Sequence, residues 1–150
     1  MKFTCTKTNF NNGINIALKA VPGKTTMPIL ECVVIEAKGD MVKLTTNDMQ
    51  LGIETKIPAE IEQDGIILVN AKMISEIVRR LPDDDVNFEV DENNNILLFC
   101  GKSKFNIPGI PHDEFPMLPK IEADKTIHIS QFTLKEMIRQ TIFSISDNES

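Results

Sequence analysis

The feature that most constrains the fold of this chain is an internal repeat of its opening pattern. Moving the sequence by 124 residues places one strand-then-helix pattern on another. Six apolar positions then coincide: Phe3 on Ile127, Cys5 on Ile129, Phe10 on Leu134, Ile14 on Ile138, Leu18 on Ile142 and Val21 on Ile145. A repeat at a fixed spacing indicates successive units of one kind. Chance matching of two amphipathic segments is the alternative explanation.

A Pro-rich segment, 108–119, stands just before the second copy, where a domain boundary is expected. The second copy stops after one helix, and a single strand with a single helix cannot bury its apolar faces. The sequence therefore predicts a first domain over 1–120, a linker over 121–125 and the beginning of a truncated second domain over 126–150. We expect the chain to be an N-terminal fragment.

Within 1–120 the same order of elements is predicted twice. A strand over Lys2–Thr6 and a helix capped by Thr8 precede three β-branched runs, at 32–36, 42–46 and 51–55. A strand at 66–69, a helix capped by Asn70, and runs at 86–90, 96–99 and 103–107 repeat this order. The predicted class is α+β, with two similar β-α-β-β-β halves built on antiparallel sheets.

Composition excludes several classes of protein. The chain of 150 residues is 41% hydrophobic and 25% charged, with a net charge of −6, as in ordinary globular domains. It holds no apolar run of membrane-spanning length and no apolar leader after Met1, so a cytoplasmic protein without membrane contact is expected. Cys5, Cys32 and Cys100 are odd in number and widely spaced, which favours buried reduced thiols over disulfides or a zinc site.

Charge is distributed by segment. Residues 1–30 carry +4 and 71–81 carry +2, whereas 31–70 carry −5, 82–100 carry −6 and 101–150 carry −1. The two positive segments include the two predicted helices of the first domain. If these helices share one face, that face is basic and suits a polyanion. An ordinary scatter of surface charge is the alternative.

Several short segments, taken in order, resemble one known family over the whole chain. They are Met1-Lys2-Phe3-Thr4, Thr26-Met27-Pro28-Ile29-Leu30, Thr45-Thr46-Asn47-Asp48, Val69-Asn70-Ala71-Lys72, Arg79-Arg80-Leu81-Pro82, Gly101-Lys102-Ser103-Lys104-Phe105, Asp113-Glu114-Phe115-Pro116 and Phe143-Ser144. The family is the bacterial DNA polymerase III beta subunit, the sliding clamp. The resemblance implies three similar domains per chain and a head-to-tail homodimeric ring, with sheets outside and helices lining the hole.

The resemblance also implies a non-catalytic processivity factor of DNA replication, without exonuclease activity, that encircles duplex DNA and tethers the polymerase. Partners would be double-stranded DNA of any sequence, a second clamp chain, and the polymerase and clamp loader through regions beyond residue 150. Such a protein would lie in the cytoplasm, at the nucleoid. Because a sliding protein cannot read bases, its contacts should be Lys and Arg on phosphates.

Carried over residue by residue, the DNA-facing positions would be Lys24, Lys72 and Arg79, with Arg80 and Lys19 as weaker candidates. Lys72 and Arg79 are seven residues apart and so share a helix face. The strand from Lys102 to Ile107 resembles the subunit-joining edge of the family. Phe105 and Ile107 would supply apolar contacts, and Lys102 and Lys104 charged ones, although the family often has Arg at the two lysines.

No catalytic, metal or cofactor site is predicted. The Walker, GxGxxG, HExxH and GxSxG motifs are absent. Asp83-Asp84-Asp85 is interpreted as a solvated acidic turn, and His112 and His128 as non-catalytic. Two alternatives stay open: a small protein-interaction module that uses an exposed sheet edge without DNA, and a divergent nucleic-acid enzyme with clustered acids on a basic face.

Overall fold

The structure is a computed structural model that describes residues 1–119 and 126–145. Its strands are β1 (Lys2–Thr6), β2 (Cys32–Lys38), β3 (Met41–Asn47), β4 (Gly52–Pro58), β5 (Glu60–Gln63), β6 (Gly65–Asn70), β7 (Asp85–Val90), β8 (Asn95–Cys100) and β9 (Ser103–Pro108). Its α-helices are α1 (Lys7–Ala17), α2 (Ala71–Arg80) and α3 (Gln131–Thr141). One compact unit covers Met1–Leu118, and a second begins at Pro119.

The first unit contains two antiparallel sheets, with strand orders β5-β1-β7-β8-β9 and β4-β3-β2-β6. The predicted α+β class with two β-α-β-β-β halves is confirmed. Each half contributes its opening strand to the sheet of the other half, since β1 pairs with β7 and β6 pairs with β2. This exchange locks the two halves into one domain. Strand β5 has no counterpart in the second half and was not predicted from the sequence.

The two helices of this unit begin at capped positions. The Thr6 hydroxyl accepts a hydrogen bond from the Asn9 amide at 3.2 Å, so α1 starts directly after β1, and the expected Thr8 cap is wrong. The predicted Asn70 cap is confirmed, because its side chain accepts from the Met73 amide at 3.0 Å. Helix α1 lies close on its sheet at Gly13, where a methyl group would stand 2.8 Å from Ile57 and Leu44 side-chain atoms.

One main core fills the space between the two sheets and the helices. Phe3 and Phe88 stack with ring centroids 4.9 Å apart, and Phe10 of α1 meets both rings edge-on at 6.1 Å. Buried residues of α2, among them Ile74 and Val78, belong to the same core. Because α1 and α2 also contact each other, their exposed faces lie side by side on one surface. The prediction of two helices on one face agrees with this packing.

A smaller apolar cluster lies on the outer face of the β4-β3-β2-β6 sheet. Cys32, Val34 and Leu68 are buried there under Phe115, which follows a chain segment bonded to the edge of β6. Leu68 and Ile110 exchange backbone hydrogen bonds of 3.0 and 2.9 Å. The segment after β9 therefore covers one sheet edge and part of one sheet face.

The second unit is described by α3 and a short 3-10 turn over Ile142–Ser144. The predicted helix of the second copy is present, capped by Ser130, whose hydroxyl accepts from the Thr133 amide. Residues 126–130 form no strand, although the repeat predicts one there, and His128 is exposed. In the first copy β1 is held between β5 and β7, so the opening strand of this pattern depends on partner strands. The predicted linker, 121–125, lies outside the described residues.

Two neighbouring threonines of β3 should respond in opposite ways to replacement by valine. Both are buried, but the Thr46 hydroxyl donates to the Ala17 carbonyl at 2.6 Å, whereas the Thr45 hydroxyl has no partner in the described residues. We expect Thr45→Val to raise the free energy of unfolding by about 1 kcal/mol and Thr46→Val to lower it by about 1 to 2 kcal/mol. Urea unfolding of the two variants measures this, and equal shifts would contradict the assigned hydrogen bonds.

Candidate nucleic-acid interface and subunit edge

The surface formed by α1 and α2, here called the helix face, is the first candidate site. Its exposed residues on α1 are Thr8, Asn12, Asn15 and Ile16, and those on α2 are Lys72, Met73, Glu76, Arg79 and Arg80. Glu76 is the one acid among them. The helix face is therefore polar and, on α2, basic, although the chain as a whole is acidic.

Three of the predicted DNA-contacting residues lie on α2. Lys72 occupies the first turn, and Arg79 and Arg80 occupy the last. Cations suit a helix C-terminus, where the backbone carbonyls carry partial negative charge, but they are unfavourable at the N-terminus. The two arginines thus stabilise α2, whereas Lys72 does not, and no acid in the first turn offsets it.

The other two predicted residues follow α1. Lys19 lies in the 3-10 turn over Leu18–Ala20, and Lys24 lies in the loop that leads to a second 3-10 turn, Pro28–Glu31. Both side chains are exposed. In the part of the chain that the structure describes, none of Lys19, Lys24 and Lys72 forms an ion pair, nor does either arginine of α2. Their charges are not neutralised within the domain.

Charges on the outer sheet surfaces are arranged differently. The Lys43 ammonium lies 2.6 Å from Glu36 and 3.6 Å from Glu54, and the hydrogen bond that it donates to the Glu36 carboxylate raises the pKa of Lys43. Lys2 pairs in the same way with Glu62 and Glu89. A shallow cleft of about 310 Å³ beside Lys43 is lined mainly by such charged side chains. Lysines of the sheets are thus mixed with acids, in contrast to those of the helix face.

The second candidate site is the open edge of the larger sheet, formed by β9. Strand β9 pairs with β8 on one side, and no described residue pairs with its other side. Unpaired backbone groups on a strand of six residues are a template for another strand. The edge of β4 is a second long open edge, which the sequence did not single out.

Two residues of the β9 edge, Lys102 and Ile107, do not lie where their predicted roles require. Lys102 lies in the tight turn with Gly101, one residue before the strand, and Lys104 lies over the Phe99 ring at 5.2 Å from its centroid. Phe105 faces the core but stays partly exposed, because the edge strand leaves one flank open. Ile107 is 1% exposed and belongs to the core, so its side chain has no surface left for a partner.

Among the described residues, the acidic, histidine and cysteine side chains that were considered for catalysis or metal binding are not grouped into such a site. In the described ranges, His, Cys, Asp and Glu side chains are nowhere grouped in threes around a space for a metal ion. The Asp84 carbonyl accepts from the Lys7 amide, which ties the acidic turn to the start of α1. The three cysteines are free and buried, as predicted, and burial raises the pKa of the Cys5 thiol to about 12. Among the residues described, no helix is long and apolar enough to cross a membrane.

Comparison with known proteins gives one family. The sequence model described as "DNA polymerase III beta subunit, N-terminal domain" matches residues 1–119. The beta sliding clamp of Bacillus subtilis strain 168 is 40% identical over the whole chain, which spans 42% of the length of that relative. Beta sliding clamps of Halalkalibacterium halodurans and Staphylococcus epidermidis are 36% and 34% identical, with the same coverage.

Solved structures agree with the sequence relatives. A protein of Eubacterium rectale assigned as a DNA polymerase III beta subunit has a TM-score of 0.93 at 53% identity, with 100% of this chain and 41% of that chain covered. The DNA polymerase sliding clamp of Bacillus subtilis has a TM-score of 0.93 at 39% identity, with 100% and 42% covered. The chain is thus similar, over its whole length, to less than half of each of these proteins.

Proposed function

Because the chain belongs to the DNA polymerase III beta subunit family, we propose that it supplies the first domain of a ring-shaped sliding clamp. The clamp is a non-catalytic processivity factor that encircles duplex DNA at the nucleoid, in the cytoplasm. By holding the polymerase on the template, it raises the effective concentration of the enzyme at the primer end. The polymerase and an ATP-driven loader bind through regions beyond residue 150.

The observation that carries this proposal is the helix face. Lys72 and Arg79 share a face of α2, and Lys19 and Lys24 follow α1, all exposed and without ion pairs in the described ranges. Long flexible cations attract phosphates at any register, whereas base-specific contacts would hold the protein at some sequences by about 1 to 3 kcal/mol each. A face of Lys and Arg therefore suits a protein that must move along DNA.

The β9 edge is proposed as the junction with a second clamp chain. Lys102 and Lys104 are exposed beside a strand whose outer side pairs with none of the described residues, and the partly exposed Phe105 offers an apolar contact. The partner would add its own strand and present acids to the two lysines. Ile107 contributes backbone only, because its side chain lies in the core.

Primer extension tests the proposed function. We expect the native-length protein, with its polymerase and loader on a primed circular template, to lengthen the products made in one binding event at least tenfold. The polymerase is diluted so that it rarely rebinds the template, and heparin captures any enzyme that dissociates. Each product then comes from one binding event. Unchanged product lengths would reject the function, and the interaction module without DNA would then be the better interpretation.

A further inference from the structure

Helix α1 has an unusual composition for a helix that packs on a sheet. Its sequence, KTNFNNGINIA, contains four asparagines and one glycine in 11 residues. Asparagine and glycine are among the less favourable residues in helix interiors, where alanine, lysine and glutamate are preferred. Gly13 has a packing reason, since α1 lies too close to Leu44 and Ile57 for a side chain. The exposed asparagines have no such reason.

Asn12 and Asn15 are exposed on the helix face, and Asn9 and Asn11 are partly buried. Asn12 and Asn15 are three residues apart, so they are neighbours on one side of α1. Among the residues described, neither side-chain amide hydrogen-bonds to another group of the protein. Both amides are therefore free to bind something outside the domain.

The charge pattern identifies what they could bind. The chain has twenty-two acids, yet residues 1–30 contain none, and the exposed side of α1 is made polar by amides instead. On a face that only meets water, glutamates would favour the helix more than asparagines do and would keep the surface just as soluble. The exposed side of α1 is thus free of acids, and on the exposed side of α2 Glu76 is the one acid beside Lys72, Arg79 and Arg80. This combination indicates that the helix face meets a polyanion.

We propose that Asn12 and Asn15 are uncharged contacts to the phosphate backbone of duplex DNA, a proposal that rests on the clamp function above. Asparagine amides donate hydrogen bonds to phosphate oxygens in protein–DNA complexes. They release no counterion, because they carry no charge. The helix face thus combines two kinds of contact: cations on α2 and after α1 that attract the DNA, and neutral donors on α1 that touch it without holding it at one register.

The two kinds of contact respond differently to salt, and this gives the test. Native-length protein carrying Asn12→Ala with Asn15→Ala is compared with wild type and Lys72→Ala. Binding to a short fluorescent duplex is measured by anisotropy over a series of NaCl concentrations. We expect the asparagine variant to bind about 5-fold more weakly at every salt concentration, with the wild-type slope of log affinity against log salt. Lys72→Ala should reduce that slope by about 1.

Stability separates this effect from damage to the fold. Alanine is the better helix former, so we expect the asparagine variant to melt at or above the wild-type temperature while it binds DNA more weakly. Wild-type affinity in that variant would overturn the proposal and identify the asparagines as a solvated face. If wild type itself shows no duplex binding and Lys72→Ala no effect, the clamp function fails as well.

Discussion

Replacing Lys24 and Lys72 by glutamate together is expected to abolish polymerase stimulation by the native-length protein while its two chains stay associated. Both residues are exposed and lie away from the β9 edge in sequence. The double change replaces two attractions for phosphate by two repulsions, and each lost phosphate contact reduces the salt slope by about 0.9. Because Lys72 stands in the first turn of α2, glutamate there should stabilise the helix.

A matched control has the same change of net charge elsewhere. Lys38→Glu with Lys56→Glu alters two exposed lysines at the mixed-charge cleft on the outer side of the β4-β3-β2-β6 sheet. We expect this control to stimulate the polymerase as wild type does. Sedimentation measures the dimer in both variants. Equal loss of stimulation in both would show that net charge, and not the helix face, is responsible.

Asn106→Pro is expected to separate the two chains of the ring without unfolding the domain. Cys100 and Ser103 close a two-residue turn and so form a hydrogen-bonded pair, and the pairs alternate along β8 and β9. The Leu97–Asn106 pair is then a non-hydrogen-bonded one, and the Asn106 N–H points to the open edge. Proline there removes a donor to the partner strand and leaves the bonds to β8 intact.

The expected effect is a rise of the dimer dissociation constant on the order of 30- to 100-fold, equivalent to about 2 to 3 kcal/mol. Asn106→Ala keeps the N–H and should dimerise as wild type does. Analytical ultracentrifugation over a dilution series measures both constants, and circular dichroism checks the fold. A proline variant that dimerises with wild-type affinity would show that the chains meet elsewhere.

Local structure in this chain could be predicted because neighbouring residues determine it. Asn70 caps α2, alternation of apolar and polar residues marks β7 and β9, and a short apolar run marks β8. Helix starts are less certain from sequence, because Thr6 and Thr8 are chemically equal candidates for the α1 cap. Thr6 is the cap, since it retains extended backbone at the end of β1.

Long-range pairing could not be predicted in the same way. The exchange of β1 and β6 between sheets joins residues from 28 to 87 positions apart, and no local pattern records it. The short β5 is a strand because β1 lies beside it. In the candidate sites, the resemblance indicated exposed lysines and arginines that the structure also places at the surface. Ile107 differs because alternation along β9 turns it into the core.

The asparagines of α1 that we propose as phosphate contacts were not singled out from the sequence, for a related reason. A search for nucleic-acid contacts follows charge, and amides carry none. The sequence did contain a signal, because helix propensity and apolar spacing disagree in α1. Four asparagines, which are poor helix formers, stand in a segment whose apolar spacing predicts a helix. Such a conflict marks residues kept for something other than the stability of the helix.

The central claim is that this chain belongs to a ring that holds DNA by encircling it. The most direct measurement is retention of the native-length protein, loaded with its loader and ATP, on nicked circular duplex before and after one restriction cut. We predict that the protein stays with the circle through gel filtration in high salt and is lost when the DNA is linearised, because a ring slides off free ends. Equal retention on circular and linear DNA, or retention on neither, would contradict encirclement.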